Sequence, residues 1–382
     1  MGFLKYYFYI IPALFVLIIY GCLPSLIKVD IKNDPQAYTM FGRTQDRNFY
    51  LPATIGDSLV EKWETSINGG LTNSSVTVYN SCVFVNDLSG WITCLDLRNG
   101  KRIGQIKEKG AVYSSPVIEQ NILIFPIVLN NENITDLFFY NYRTGEPINK
   151  VEVEGKILNE LLKTNDGIIF AAENGIAAKY NFVGTKIWET NLGAMCHSSP
   201  SSNGSVVFCG NDKGEIILLN EKDGKEIYKK KIGNPFYGGS TIKDNTAYIG
   251  DDEGILFAVD ISSGNVKWKI NTGTRIFAVP VLNNQFVFIG NLGGKLYSLD
   301  KDSGKLNWEK NIGGVINATP LLTKNYLIVP DLNGRLIFVD EADGKIKREY
   351  NLPGHVKTSP VYTKDLLFIG YDNGILKAYE IL

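Results

Sequence analysis

Short apolar runs bounded by glycine turns recur along the chain with a period of about 40 residues. The turn at Gly214 precedes the apolar run Glu215–Asn220, and the same turn and run return at Gly254. Further copies of the turn lie at Gly90, Gly175, Gly294, Gly334 and Gly374. A degenerate copy between Phe138 and Gly145 brings the number of copies to eight. Internal repetition on this scale is typical of propellers and solenoids.

Each copy contains the signals of four short strands. Small residues ending in proline, as at 113–116, precede an apolar strand such as Phe286–Gly290. After the glycine turn comes a second apolar strand, such as Lys295–Asp300, and a turn at Gly304 leads to a last strand near Trp308. Tight turns between short strands predict an antiparallel sheet, which cannot bury both faces alone. Eight such sheets around an axis bury both faces of each, so we predict an all-β chain with a single eight-bladed β-propeller. A linear solenoid is the alternative.

The prolines indicate which strand lies next to the axis. Proline lacks an N–H group and is tolerated in edge strands, and the innermost strand of a blade is such an edge. The prolines that favour this placement are Pro116, Pro200, Pro280, Pro320 and Pro360.

The two ends of the repeat region predict how the ring closes. The first copy begins with a lone outer strand near residues 61–65, whereas the last copy reaches Leu382 without an outer strand. We therefore expect the N-terminal strand to complete the last blade, with the propeller at residues 58–382.

Residues 1–21 have the pattern of an export signal with a lipobox. Lys5 precedes an apolar stretch, and Gly21 stands directly before Cys22. This predicts cleavage before Cys22 and attachment of lipid to that residue. An uncleaved signal anchor is the alternative, because residues 6–27 carry no charge and are long enough to span a bilayer; a secreted form is the third possibility. All three place the body of the protein outside the cytoplasm.

Residues 22–57 are expected to form a tether and an N-terminal extension. Within it, residues 41–47 combine phenylalanine with two arginines, a composition that favours packing against the propeller rather than free solvation.

Composition and charge reduce the number of possible functional classes. The chain has 382 residues, of which 44% are hydrophobic and 21% charged, so it can bury a large core. Its formal net charge of −1 argues against a nucleic-acid partner.

The segments 257–268 and 297–308 resemble the tryptophan-docking motif of PQQ-like (pyrroloquinoline-quinone-type) propeller repeats. The resemblance implies that a tryptophan of each blade wedges against the next blade, with its N–H bonded to the backbone. Four copies keep it, at Trp63, Trp188, Trp268 and Trp308, and four replace it, at Gly104, Asn149, Tyr228 and Arg348.

Two groups within this superfamily suggest different functions. Quinoprotein dehydrogenases hold the quinone and Ca²⁺ on the propeller axis, and the alcohol-oxidising ones carry two adjacent cysteines; no two cysteines are adjacent here. The chain is more similar to the BamB family of outer-membrane lipoproteins, which assist the assembly of outer-membrane β-barrels. The family's partner-contact loops are extended, whereas residues 192–200 and 232–241 of this chain are short and lack the Leu, Arg and Asp pattern.

The remaining cysteines suggest two disulfides. Cys82 and Cys94 flank the turn at 87–90 symmetrically, and Cys196 and Cys209 flank the turn at 203–204. Residues equally distant from a hairpin turn face each other at a separation that a disulfide accepts. Single buried thiols are the alternative.

Candidate catalytic and metal-binding groups are scarce. His197 and His355 are the only two histidines, and a metal site needs three or four converging ligands, so structural or surface roles are expected. Lys229, Lys230 and Lys231 lie in an outer strand, where lysines protect an exposed edge.

The sequence therefore predicts a non-catalytic scaffold without cofactor or metal, attached to the outer membrane and facing the periplasm. It would bind a protein or peptide partner through propeller loops, and its resemblance implies a role in outer-membrane protein assembly. The alternative is a quinoprotein-type dehydrogenase or a small-molecule binder that uses the axial channel.

Overall fold

The computed structural model describes residues 26–30 and 34–382, which contain 32 strands and no helix. The strands form eight four-stranded antiparallel sheets arranged as the blades of a ring. The predicted eight-bladed β-propeller is thereby confirmed. No helix in this part of the chain is long and apolar enough to cross a membrane.

The first seven blades each contain four consecutive strands. Blade 1 has β2 (Thr77–Tyr79), β3 (Cys82–Asn86), β4 (Trp91–Asp96) and β5 (Arg102–Lys107); blade 2 has β6 (Val117–Glu119), β7 (Ile122–Val128), β8 (Ile134–Asn141) and β9 (Glu146–Glu154); blade 3 has β10 (Leu162–Lys163), β11 (Ile168–Ala171), β12 (Ile176–Tyr180) and β13 (Lys186–Asn191); blade 4 has β14 (Ser201–Ser202), β15 (Val206–Gly210), β16 (Glu215–Asn220) and β17 (Glu226–Lys231). Blade 5 has β18 (Thr241–Lys243), β19 (Thr246–Gly250), β20 (Ile255–Asp260) and β21 (Val266–Asn271); blade 6 has β22 (Val281–Leu282), β23 (Phe286–Gly290), β24 (Lys295–Asp300) and β25 (Leu306–Asn311); blade 7 has β26 (Leu321–Leu322), β27 (Tyr326–Pro330), β28 (Arg335–Asp340) and β29 (Ile346–Asn351).

Blade 8 is completed by the N-terminal strand. It contains β30 (Val361–Thr363), β31 (Leu366–Gly370), β32 (Ile375–Ile381) and, as its outer strand, β1 (Leu59–Ser66). The strands β1 and β32 are antiparallel, with Trp63 opposite Ala378. This closure agrees with the expectation from the sequence, and it hides the edge of β32 that a lone C-terminal strand would expose.

The core lies between neighbouring blades. The middle strands are buried on both faces, and apolar residues of adjacent blades form shared clusters, as Phe288 of blade 6 does with Val329 of blade 7. No blade could bury these faces alone, so the stability of each blade depends on its neighbours.

The docking residues link the outer strands to the following blade. The indole Nε1 atoms donate hydrogen bonds of 2.9–3.0 Å to backbone carbonyls, in the pairs Trp63–Leu97, Trp188–Glu221, Trp268–Lys301 and Trp308–Glu341. The Tyr228 hydroxyl makes the same link to the Ile261 carbonyl, at 3.0 Å. The Asn149 amide does so to the Val183 carbonyl, also at 3.0 Å. Arg348 instead forms an ion pair of 3.2 Å with Asp57.

The cysteine register expected from the sequence is wrong. Cys82 lies opposite Asp96, and Cys94 lies opposite Phe84. The turn is centred on Ser89 because the Asp87 carboxylate accepts bonds from the N–H groups of Ser89 and Trp91, which makes the turn longer than the symmetric spacing implies.

The second pair is also displaced, because Cys209 lies opposite Ile217, and Cys196 precedes the inner strand β14. All four of these cysteines are buried. The thiols of each pair nevertheless remain neighbours: contact with Cys82 raises the pKa of Cys94, and contact with Cys209 raises that of Cys196, with burial adding to both.

Candidate functional site

The axial channel opens on the face that carries the turns between the second and third strands of the blades; we call this the upper face. Its mouth is lined by one residue from each blade, three positions before the proline or its equivalent. This mouth ring consists of Asn73, Tyr113, Leu158, His197, Tyr237, Phe277, Asn317 and Lys357. The cavity inside the ring has a volume of about 330 Å³.

The mouth ring has an aromatic side. His197, Tyr237 and Phe277 come from three successive blades, with ring centroids 5.7 Å and 5.9 Å apart. The second pair is stacked, at an interplanar angle of 15°. Aromatic faces arranged in this way offer apolar contact area with little loss of side-chain entropy.

The other side of the ring is polar. The Asn317 amide donates to the side-chain oxygen of Asn73 at 3.0 Å, and Lys357 adds a cation to the lining. Amides and an ammonium group can bond the backbone or a carboxylate of a bound molecule.

Below the mouth, side-chain oxygens link the inner strands around the axis. The N–H of Ser75 donates to the Ser115 hydroxyl at 2.8 Å, and the N–H of Val279 donates to the Thr319 hydroxyl at 3.0 Å. In blade 3 the serine or threonine is replaced by Glu160, whose carboxylate accepts from the Ser115 N–H at 2.7 Å. These bonds satisfy backbone donors that would otherwise face the channel.

The channel is closed from the opposite, lower face by residues 36–53, which we call the capping segment. Its backbone follows the inner strands and bonds equivalent N–H groups in blades 1, 2, 4, 5 and 7. The carbonyl of Thr39 accepts from Ile118, that of Gln45 from Ser202, that of Asp46 from Ile242 and that of Phe49 from Leu322, at 2.8–3.0 Å. Tyr38 exchanges two such bonds with Val78 of blade 1. The capping segment thereby covers edges that the ring would otherwise leave unpaired.

Arg47 fixes the capping segment at the centre of the channel. Its side chain is fully buried and donates to the carbonyl oxygens of Pro200 and Glu160, the latter at 2.9 Å. Burial lowers the pKa of Arg47 to about 10, so the guanidinium stays charged at neutral pH. Burial raises the pKa of Glu160 to about 7, although the charge of Arg47 opposes that rise. Phe41 of the same segment forms the floor of the mouth cavity.

The two histidines are held by carboxylates. His197 Nδ1 lies 2.8 Å from Asp212 and its Nε2 lies 3.7 Å from Glu173, whereas His355 Nδ1 lies 3.2 Å from Asp372. Within the described residues no three His, Cys, Asp or Glu side chains are grouped so that they could hold a metal ion.

The lysines of β17 form an ion pair and hydrogen bonds with residues around this outer strand. Lys229 pairs with Glu226 at 3.0 Å, and Lys230 donates to the Ser263 carbonyl of the next blade at 2.6 Å. Lys231 donates to the Lys213 carbonyl.

The lining does not fit the quinone and Ca²⁺ of the dehydrogenase members of the superfamily. Calcium takes six to eight oxygen ligands, several of them carboxylates. Among the described residues that line the mouth, Glu160 supplies the one carboxylate, and it is already bonded to Ser115. The capping segment also fills the channel below it.

The sequence did not indicate Arg47, Glu160 or, apart from His197, the residues of the mouth ring as site residues. Glu160 could have been found by aligning the copies, because it replaces a small hydroxyl residue. Cys22 and the signal sequence lie outside the described residues.

A closed ring of eight blades with docking residues in the outer strands defines a PQQ-like β-propeller. The chain matches the family model described as "Outer membrane protein assembly factor BamB" over residues 173–278 and again over residues 269–382. These matches together span more than half of the chain, which therefore belongs to this family, and the resemblance inferred from the sequence is confirmed. A search of curated proteins found no match.

Solved structures share the fold. BamB from Moraxella catarrhalis superposes with a TM-score of 0.71 at 15% identity, covering 85% of this chain and 100% of that one. The computationally designed protein Ika8 superposes with a TM-score of 0.72 at 14% identity, and the match covers 84% of this chain and 99% of the Ika8 chain. The quinohemoprotein alcohol dehydrogenase ADHIIG from Pseudomonas putida HK5 gives 0.76 at 12% identity, covering 93% of this chain and 82% of that one. At such identities the likeness shows the fold alone.

Proposed function

We propose that this protein is a non-catalytic scaffold of the bacterial cell envelope that binds a peptide segment of a protein partner at the mouth ring. The binding would serve the assembly of outer-membrane proteins. The observation that carries the proposal is the aromatic side of the ring, formed by His197, Tyr237 and Phe277 above a cavity with a closed floor.

The two sides of the mouth suit a peptide. Apolar side chains can rest on the stacked rings of Tyr237 and Phe277, while Asn317 and Lys357 can bond peptide carbonyls. Met195, in the loop before His197, has 52% of its surface exposed, and its carbonyl accepts the N–H of Asp212 in the turn between the second and third strands of blade 4. A cavity of this kind, closed at its floor, would bind a peptide through complementary shape and polarity and would not catalyse a reaction.

The side chains around the mouth support a binding role rather than catalysis. His197 has its Nδ1 engaged by Asp212, and the Ser199 hydroxyl accepts the backbone N–H of Glu160 at 3.1 Å. Neither forms a nucleophile–base pair with the other groups described in the lining.

The envelope location rests on the N-terminal sequence. Lipid on Cys22 would hold the propeller at a membrane, and family membership favours the periplasmic side of the outer membrane. Labelled palmitate should enter the wild-type protein in a diderm host and not the Cys22→Ser variant. Membrane attachment without labelling would favour the signal anchor.

A photo-crosslinking amino acid at position 195 tests the binding surface. Ile227 is the matched control, because this apolar residue is equally exposed, at 50%, but lies on the outer strand of blade 4. We expect position 195 to form discrete adducts in intact cells, identified by mass spectrometry as components of the outer-membrane assembly machinery. Equal adducts from both positions, or none from position 195, would contradict the proposal.

The likeness to quinohemoprotein alcohol dehydrogenase makes catalysis the alternative. Purified protein supplied with PQQ and Ca²⁺ should reduce no dye with alcohols as substrates. Quinone-dependent dye reduction would show that the protein is an enzyme.

A further inference from the structure

The four residues 26–29 occupy the docking position that lacks a large side chain. Gly104 lies opposite Cys94 in blade 1, in the same register as Trp268 opposite Ala258 in blade 5. At this position Ile27 inserts between blades 1 and 2 and is fully buried in a cluster with Cys94 and Tyr142. The N-terminal tether thus supplies the apolar group that the glycine does not.

The tether also supplies the missing polar link. In blade 3 the indole of Trp188 donates to the carbonyl of Glu221, the residue that follows the third strand of the next blade. Tyr142 holds the equivalent place in blade 2, directly after β8, and its carbonyl accepts the backbone N–H of Val29 at 2.8 Å. The Tyr140 hydroxyl donates to the Ile27 carbonyl at 3.2 Å.

Glycine at position 104 is a steric requirement of this arrangement. A Cβ atom there would lie 2.6 Å from the Leu26 carbonyl oxygen and 2.8 Å from the Ile27 Cα. Both neighbours are backbone atoms, so a side chain at position 104 and the docked tether exclude each other.

The docked tether brings the membrane attachment close to one side of the ring. Leu26 is four positions after Cys22, a distance of at most about 14 Å along an extended chain. A signal anchor would lie at least as close, because Ile27 is inside the propeller and any membrane-spanning stretch must end before it. Both forms of attachment therefore bring the outer rim of blades 1 and 2 next to the bilayer.

The surface at this rim is apolar. Leu26 has 59% of its surface exposed and borders a groove of about 440 Å³ whose other walls are Ile106, Phe138, Tyr140 and Pro147. Lys107 and Glu108 stand at its edge, and Lys28, two residues after Leu26, is exposed. An apolar groove with a lysine at its edge suits acyl chains below phosphate headgroups.

We propose that the rim of blades 1 and 2 is the membrane-contacting surface, and that the groove beside Leu26 receives lipid acyl chains from the bilayer to which the N-terminus is attached. The propeller then stands edge-on to the membrane, with the mouth ring opening sideways, where a partner can reach it. This inference rests on the membrane attachment in the proposed function.

Photo-crosslinking to lipid tests the orientation. The crosslinker is placed at position 26 or 147 of the full-length chain in cells grown with labelled fatty acid. Leu306 is the matched control, an apolar residue 46% exposed on the outer strand of blade 6, across the ring. We expect lipid adducts that form only on irradiation at positions 26 and 147, in addition to the lipid on Cys22, and none at position 306.

Fractionation of the same cells distinguishes a failure of the membrane attachment from a failure of the proposed orientation. Protein absent from the membrane fraction would overturn the attachment, and with it this inference. Membrane-bound protein without lipid adducts at positions 26 and 147, or with equal adducts at position 306, would overturn the orientation alone and leave the proposed function standing. Crosslinks from position 26 to a protein instead of lipid would show that the groove is a protein interface.

Discussion

The indole Nε1 of Trp63 donates a hydrogen bond of 2.9 Å to the carbonyl oxygen of Leu97. Trp63 belongs to the outer strand of blade 8 and Leu97 to blade 1, so this bond lies at the junction where the ring closes. It joins the same positions that are linked within the ring by Trp188 and Glu221.

Trp63→Phe should weaken this closure while keeping most of the buried area. Loss of the bond leaves the Leu97 carbonyl without its indole donor, which costs about 1–2 kcal/mol in the free energy of unfolding. Denaturant unfolding measures the loss. Trp91→Phe is the control, because Trp91 lies in β4 and not at a docking position. Equal losses for the two variants would contradict a closing role for Trp63, as would unchanged melting after deletion of residues 58–67.

The stability of the protein should depend on the protonation of Glu160. Because burial raises its pKa to about 7, above the ordinary 4.5, the folded state binds a proton between these values that the unfolded state has lost. The free energy of unfolding therefore falls as pH rises through this window, by up to about 1.4 kcal/mol for each pH unit.

Glu160→Gln should flatten this dependence. The amide oxygen can still accept the Ser115 N–H, so the variant should match the wild type near pH 5 and exceed its stability near pH 8. Glu253→Gln, at an exposed turn, serves as the control for loss of a negative charge. Parallel pH profiles of wild type and Glu160→Gln would show that Glu160 is not the titrating group.

Gly104→Ala should release the tether. The added methyl group collides with the backbone of Leu26 and Ile27, and overpacking of this kind costs about 1–3 kcal/mol. Trypsin should cleave faster after Lys28 in the variant than in the wild type. Gly354→Ala is the control, because its Cβ would have only ordinary contacts, at 3.5 Å. Unchanged cleavage in a folded Gly104→Ala protein would argue against the docked tether.

The four cysteines of the propeller, Cys82, Cys94, Cys196 and Cys209, should behave as buried thiols in the folded protein. Burial and thiol contact raise the pKa of Cys94 and of Cys196, so little reactive thiolate is present at neutral pH. Alkylation should require unfolding, and mass spectrometry of unreduced peptides should recover four free thiols. Peptides joined through Cys82–Cys94 or Cys196–Cys209 would instead support the disulfides expected from the sequence.

The sequence predicted those parts of the fold that repeat. Glycine turns and apolar runs mark the strands of each blade, because these signals are local and recur in the eight copies. The lone strand around Trp63 indicates the closure, because it has no other strands before it. The hairpin register at Cys82 escaped prediction because the side chain of Asp87 determines the length of that turn.

Features without a repeat could not be read from the pattern. The bond between Arg47 and the Glu160 carbonyl joins residues far apart in the chain, and nothing in the period refers to it. Gly104 was visible as a position without tryptophan, but the residue that fills the gap, Ile27, lies in a segment expected to be a free tether. Both depend on contacts that only the closed ring creates.

The central claim, that the mouth ring serves outer-membrane protein assembly, is tested most directly by quantitative proteomics of outer membranes. A strain without the protein should contain less outer-membrane β-barrel protein. Expression of the wild type should restore these levels, whereas the folded double variant Tyr237→Ala/Phe277→Ala should not. Unchanged β-barrel levels in the deletion strain, or full restoration by the double variant, would contradict the account.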